Sequence, residues 1–487
     1  MATEKSAAPA RKPLWTYLAG IVAVFMISMD NLVVTNALPV ISAKLHTGLE
    51  GLEWTVNGYT LTFAVLMLTG AALGDRYGRR RMFAVGMSVF TLSSAAAALA
   101  PSIGVLIAAR AVQGAGAAIV MPLSITLIAS VTPLSKRGLA LGLWSATAGL
   151  GAALGPVIGG AVTQAGSWQW IFWINVPIGI LLLPLLVLVR ESRGGSGRLD
   201  PFGVVLVTVG LFGIVFGLVR GNDHGWTSPQ VLGSLIGGGL LLAAFVAWEA
   251  RAATPMLPLS LYRNRGFASM NASMLVTVTG MFGMIFLFAQ YLQLVRGYSP
   301  LGAGVRALPW TASPAVSAVV AGLLAKRVGG RQLIAAGAAL QAIGIGLLAV
   351  QTSATVPYPQ LVPAFVIAGT GIGVFFAPIT RLTLGFAPAE LEGVASGTSA
   401  ALRQLGTVIG VAVLGAVFSA HGGLGSPAEF IRGLDATLAV SAIILGASVF
   451  LPLLAPDPER QARTAMAPEA ATAPAPAPAA GRGLARS

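Results

Sequence analysis

Two charged side chains stand where charge is costly and chemistry is possible. Asp30 lies in Met29-Asp30-Asn31-Leu32-Val33-Val34-Thr35-Asn36-Ala37-Leu38-Pro39 and reads as the only acidic residue well inside an apolar stretch. A carboxylate at mid-membrane costs about 2.5–3.5 kcal/mol on insertion scales. A carboxyl kept there can bind a proton on one side of a bilayer and release it on the other. A structural carboxylate paired with a helix end is the plainer alternative. Arg110, in Arg110-Ala111-Val112-Gln113-Gly114-Ala115-Gly116, stays charged at any relevant pH. It needs a carboxylate, carbonyls or cavity water, and it can relay a change of protonation to a change of shape. An architectural ion-pair partner would need the same neighbours. Arg403 is the other arginine within an apolar stretch.

A third candidate is mechanical. Gly151, Gly155 and Gly159 recur every fourth residue and line one helix face. Such a face allows another helix to approach to backbone contact. Pro156 removes a helical hydrogen bond and bends the rod, and Gly160 follows at once. A smooth, kinked helix suits rocking against a neighbour, although small-residue packing alone would look similar. A fourth candidate is the short turn Gly74-Asp75-Arg76-Tyr77-Gly78-Arg79-Arg80-Arg81. Gly78 permits a positive φ there, and Asp75 can cap or pair across the turn. The spacing of Asp75, Arg76, Gly78, Arg79 and Arg80 points to a gating loop.

The elements that must hold these residues are membrane helices. Of 487 residues, 55% are hydrophobic and only 9% charged, with mean hydropathy +0.81; soluble domains are about a quarter charged. Apolar runs of about 20 residues predict fourteen spans, from 14–41 to 435–454. An even number places both termini on one side. Of the 30 Lys and Arg, 23 then fall on the terminal side, five in the opposite loops (Lys44, Arg220, Arg296, Arg306, Arg432) and two in spans. That bias predicts cytoplasmic termini and accounts for the net charge of +14 without nucleic acid. The chain has no cysteine, and His46, His224 and His421 are far apart, each assigned to a loop, so no metal site is expected. No GxxxxGK[ST] stretch signals an ATPase. The N-terminus shows no cleavable signal, so the first helix should be retained.

The chain repeats itself. Residues 138–162 match 393–417 at ten of 25 positions, including Gly151/Gly406, Gly155/Gly410 and Gly160/Gly415 at an offset of 255. The turn around Gly78 echoes the one around Gly329 at an offset of 251. Duplicated halves with a site between them are a transporter architecture. The second half lacks counterparts of Pro156 and Gly159, having Val411 and Leu414 instead.

Four motifs resemble those of the fourteen-spanner drug–proton antiporters of the major facilitator superfamily: Asp30 with Ala37-Leu38-Pro39, the Asp75–Arg81 turn, Arg110-x-x-Gln113-Gly114-x-Gly116, and Gly151-x-x-x-Gly155-Pro156-x-x-Gly159-Gly160. Trp168-Gln169-Trp170 through Asn175-Val176-Pro177 resembles the start of the family's sixth helix. The match covers nearly all of 14–455. Leu32, Thr35, Ala71 and Gln169 depart from the family pattern.

The resemblance implies an all-α membrane protein. A cytoplasmic segment 1–13 precedes a six-helix bundle 14–190. Two linker helices lie within 191–265, and a second bundle 266–455 leads to a disordered Ala/Pro-rich tail 456–487. It implies alternating access around a central cavity, with α-helix five sliding against helix ten. It also implies proton-driven export of lipophilic or amphipathic compounds by a monomer in the plasma membrane, with no cofactor. Candidate cavity residues are Asn31, Asn57, Gln113, Asn271, Phe282, Gln290, Tyr291, Trp310, Arg403 and Gln404. A proton-coupled importer or an exporter of one metabolite are the alternatives within the fold. A sensor would need a soluble output domain, and an enzyme would need a catalytic cluster.

Overall fold

The computed structural model describes residues 11–194, 200–252, 255, 257–388 and 391–456. The expected tail and most of the N-terminal segment lie outside them. Among the described residues there is no β-strand. Fourteen helical spans are long and apolar enough to cross a membrane: α1 (Pro13–Leu45), α2 (Leu49–Tyr77), α3 (Arg79–Ala98), α4 (Ile103–Val131), α5 (Arg137–Ala165), α6 (Trp170–Leu188) and α7 (Pro201–His224), then α8 (Pro229–Glu249), α9 (Arg265–Val295), α10 (Pro300–Ala325), α11 (Gly330–Gln351), α12 (Tyr358–Gly385), α13 (Glu392–His421) and α14 (Pro427–Leu454). Helices satisfy their own backbone hydrogen bonds, which hydrocarbon cannot do for them.

Local chemistry sets the ends. Ser102 accepts from the Val105 N–H at the start of α4, and Asn264 accepts from the Gly266 and Phe267 N–H groups at the start of α9. Helix α14 begins eight residues before the expected 435, because Ser426 caps it and Pro427 fits its first turn. Arg432 therefore sits on the helix and not in a loop. Likewise α7 extends past Arg220 to His224, and α13 ends at His421, so those two histidines terminate helices.

Successive spans alternate in direction, so the molecule has a terminal side and a distal side. One apolar core fills α1–α6 around Phe63, Phe83, Met87 and Phe90. A second lies among α9, α11 and α12 around Met270, Phe375 and Ile379. A third joins both halves near the distal end, where Val33, Leu38 and Phe172 pack with Met284, Phe286 and Phe418. Helix α7 packs through Leu211 and Val215 against both Leu61 of α2 and Val408 of α13, and α8 lies on α7.

Along α5 and α10 the halves meet on the distal side and part on the terminal side, whereas α2 and α13 stay packed together as far as Leu68 and Gly397. Gln293 donates to the Asn36 carbonyl at 2.8 Å, Asn36 donates to the Pro300 carbonyl at 3.3 Å, and the Leu301 N–H donates to Gln164 at 3.3 Å. All three bonds are distal. In the terminal-side part of α5, Gly138, Gly142 and Gly149 face open space, and Leu139 and Leu143 are exposed. On α10, Gly322 likewise faces open space. The molecule is closed at its distal end and open towards the side that carries the termini.

Candidate functional site

A buried polar centre occupies the first half. Arg110 and Asp30 are both fully buried and pair at 2.6 Å. Arg110 also donates to Gln113 at 2.7 Å and, through Nε, to the Thr55 carbonyl at 3.3 Å. Its guanidinium lies over the Tyr59 ring at 4.2 Å and near Phe172 at 5.7 Å. The other oxygen of Asp30 accepts from Gln113 at 3.0 Å and from Asn175 at 2.7 Å. Ser94 accepts from both of these amides, at 2.7 and 3.1 Å. Five spans (α1, α2, α3, α4 and α6) thus converge on one carboxylate. The sequence points to Asp30, Arg110 and Gln113; Ser94 and the bonding role of Asn175 escape it. The carboxylate thus meets one charged donor and two amide donors.

The central cavity lies beside this centre. Its apolar wall includes Leu32, Pro156, Phe282, Phe288, Trp310 and Phe365, and its volume is about 230 Å³. Thr35 and Asn36 of α1 reach it, whereas Asp30 does not. The buried indole N–H of Trp310 has no partner, which leaves a donor available at the wall.

Of the candidate cavity residues only Phe282 and Trp310 line this cavity. Gln113 serves Asp30 instead. The Tyr291 hydroxyl donates to the Ser353 carbonyl at 2.6 Å, near the distal end. Gln290 donates to Phe286 on its own helix at 3.1 Å, and Asn271 accepts from Ser399 at 2.8 Å. Asn31 is half-buried. Asn57, the Arg403 Nε and the Gln404 Nε2 are buried without hydrogen-bond partners.

The glycine face also packs differently from expectation. An added Cβ at Gly151 would meet the Phe25 carbonyl at 2.7 Å, at Gly155 the Met29 carbonyl at 3.1 Å, and at Gly159 the Val33 carbonyl at 2.6 Å. These three glycines therefore seat α5 on α1, within its own half. Only Gly160 lies against α10, at the Pro300 and Leu301 backbone, and Gly304 of α10 returns the contact at Pro156. The Pro156 carbonyl also accepts from Asn36 at 2.6 Å. The repeat is preserved, since Gly406 and Gly410 seat α13 on α9 in the same way.

In the turn, Gly78 has φ 109°, and Gly329 at the repeated position has φ 90°. Asp75 bridges to Arg79 at 2.8 Å. Glu191, which the sequence reading leaves unremarked, accepts from the Arg80 N–H at 2.9 Å and the Arg81 N–H at 3.3 Å. It acts as an anionic cap on α3.

Asp30 is not the only acidic residue within the spans: Glu53, close to the start of α2, and Glu249, at the end of α8, are 2% and 3% exposed, and Asp435 lies inside α14.

The major facilitator superfamily model matches residues 20–410 and 288–485. The chain belongs to that superfamily. It is 38% identical to the multidrug resistance protein Stp of Mycobacterium tuberculosis (strain CDC 1551 / Oshkosh), over 84% of this chain and 76% of that one. It is also 38% identical to the cephamycin export protein CmcT of Amycolatopsis lactamdurans, over 88% and 90%. It is 34% identical to the tetracenomycin C resistance and export protein of Streptomyces glaucescens, over 85% and 77%. Among solved structures, a D-xylose–proton symporter superposes with TM-score 0.65 at 16% identity, over 91% of this chain and 98% of that one. A bacterial homologue of the human lysosomal transporter Spinster, inward-facing and unoccupied, superposes with TM-score 0.63 at 15% identity, over 92% and 98%. At those identities the structures share the fold alone. This major facilitator is a multi-pass membrane transporter.

Proposed function

We propose that this chain is a proton-coupled antiporter that exports lipophilic or amphipathic compounds by alternating access. The observation that carries the reading is an apolar cavity at the seam of the halves, directly beside a buried Asp30–Arg110 pair. Relatives named for multidrug resistance and for antibiotic export support the direction and the substrate class. The basic bias puts the termini in the cytoplasm, so the open side faces the cytoplasm. A compound enters there and leans on Phe282 and Phe365, with Trp310 donating to an acceptor. With Asp30 still paired to Arg110, closure around α1 and α5 turns the loaded cavity outward. There the compound leaves, Asp30 takes a proton from outside and releases Arg110, and the return step delivers that proton to the cytoplasm. The proton gradient is the only energy source the scheme uses, and one copy of the chain suffices for it. One charge crossing 100 mV is worth about 2.3 kcal/mol, which sustains a gradient of about 40-fold.

Everted vesicles loaded with a pH-sensitive dye test this. Lipophilic compounds should release protons from vesicles bearing the wild-type protein, and Asp30→Asn should abolish that release and the resistance of cells. If a broad compound panel releases no protons, or Asp30→Asn keeps full resistance, the antiport reading fails.

A further inference from the structure

At the distal end a second cavity of about 610 Å³ lies between α2, α7 and α13. Glu50, Glu53, Trp54, Asp223, Phe418 and Ser419 are among its walls. It is separate from the apolar central cavity and shares no lining residue with it.

Glu53 decides its character. The residue is 98% buried and lines the cavity, yet its carboxylate has no hydrogen bond or ion pair with any described residue. The nearby arginine does not serve it: Arg220 pairs with Glu50 at 2.8 Å. The charges that act on Glu53 are those of Asp223 and Glu50. On its other side it touches Gly415 of α13, where any side chain would collide with it. One turn deeper on the same helix face, both polar atoms of Asn57 are buried without partners. A buried carboxylate left unpaired is strongly unfavourable, and either a proton or a cation must neutralise it.

We propose that this cavity is a binding site for organic cations, with Glu53 as its charge partner. The volume falls in the range of small-molecule pockets, about 300–1,000 Å³, and far exceeds the roughly 30 Å³ taken by one water. Ring faces from Trp54 and Phe418 suit a cation on an apolar body, and Ile103 and Ile107 continue the apolar wall. A bare metal ion fits less well. It needs several converging oxygens, and no group of three acidic or histidine side chains that could hold one occurs among the described residues. The site stands apart from the export reading, because binding requires neither transport nor a proton gradient.

Ethidium and neutral N-phenylnaphthylamine serve as paired probes. Binding is measured by fluorescence on the full chain in lipid nanodiscs, with no gradient. Glu53→Gln should weaken ethidium binding about tenfold and leave the neutral probe unchanged, as expected when one partner of a buried charge contact is removed. Asp223→Asn, at an exposed position, should weaken ethidium about twofold. Arg220→Gln frees Glu50 and should tighten it. Trp310→Ala, at the wall of the central cavity, should weaken the neutral probe. Unchanged ethidium binding in Glu53→Gln overturns the proposal, as does equal loss of both probes. If the vesicle assay shows no proton release while these cation results hold, the antiport reading falls and this site stands.

Discussion

At the distal end α5 meets α10 and α13 meets α2, and the two seams occupy equivalent places in the repeat. Gly160 and Gly415 correspond at an offset of 255, and Glu53 and Gly304 at 251. The first seam is backbone on backbone. Gly160 lies on Pro300, Gly304 lies on Pro156, and Asn36 ties both prolines together through their carbonyls. The second seam has a carboxylate where the first has a glycine, and a cavity opens beside it. The interiors differ as well. Spans α1 and α4 hold the Asp30–Arg110 pair, while α9 and α12 bring Met281, Phe288 and Phe365 to the cavity wall. A duplicated fold has thus been divided. One half carries charge at its centre and the other an apolar wall, and of the two seams between them one is tight and one has a cavity beside it.

The largest effect should come from breaking the charged centre. Arg110→Leu leaves Asp30 buried with its amide donors only, at a cost of about 3–5 kcal/mol. Phe365→Leu in the other half should cost about 1–2 kcal/mol. The double change Asp30→Asn with Arg110→Leu should regain most of the lost thermal stability, because no uncompensated charge remains, but should not regain proton release. Thermal melts of purified protein and the vesicle dye assay read the two properties separately. Equal melting losses in Arg110→Leu and Phe365→Leu would remove the distinction between the halves.

A smaller effect should separate the seams. A Cβ at Gly160 meets the Pro300 and Leu301 backbone, which can move only if α10 moves. At Gly415 it meets the end of the Glu53 side chain, which can swing into the cavity. Overpacking costs about 1–3 kcal/mol. Gly160→Ala should therefore slow export about tenfold and Gly415→Ala less than about twofold. Initial export rates at matched expression decide it, and similar losses at both sites would make the seams mechanically alike.

How much of this was legible depended on whether a residue contradicted its surroundings. Fourteen apolar runs announce fourteen helices, and charge within such a run exposes Asp30 and Arg110. Ser94 and Asn175 gave no such contrast, since a hydroxyl or an amide in a membrane helix is ordinary until folding shows what it bonds to. Glu53 lies near the end of its predicted span, where a carboxylate normally meets water; α13 buries it, through a long-range contact. Glu191 reads as the start of a linker and becomes a helix cap only when α6 ends beside α3. The glycines foretold close packing but not the partner. A smooth face has no address, and α1 took three of the four positions expected to slide on α10.

The subtlest contrast is at the repeated turns. Gly78 and Gly329 have φ of 109° and 90°, so alanine at either is strained by about 1–2 kcal/mol. The neighbours should then split the pair. At Gly78 a Cβ would come within 2.8 Å of the Glu191 carboxyl, which is held by the Arg80 and Arg81 N–H groups. Displacing it uncaps α3, adding about 0.3–1 kcal/mol. At Gly329 the Cβ meets the end of the Gln332 side chain, which can turn away. Gly78→Ala should therefore melt slightly below Gly329→Ala. Adding Glu191→Gln to each should erase the difference, since the cap is weakened already. If the order of melting survives that change, the turns differ in backbone strain and the carboxylate cap is not the cause.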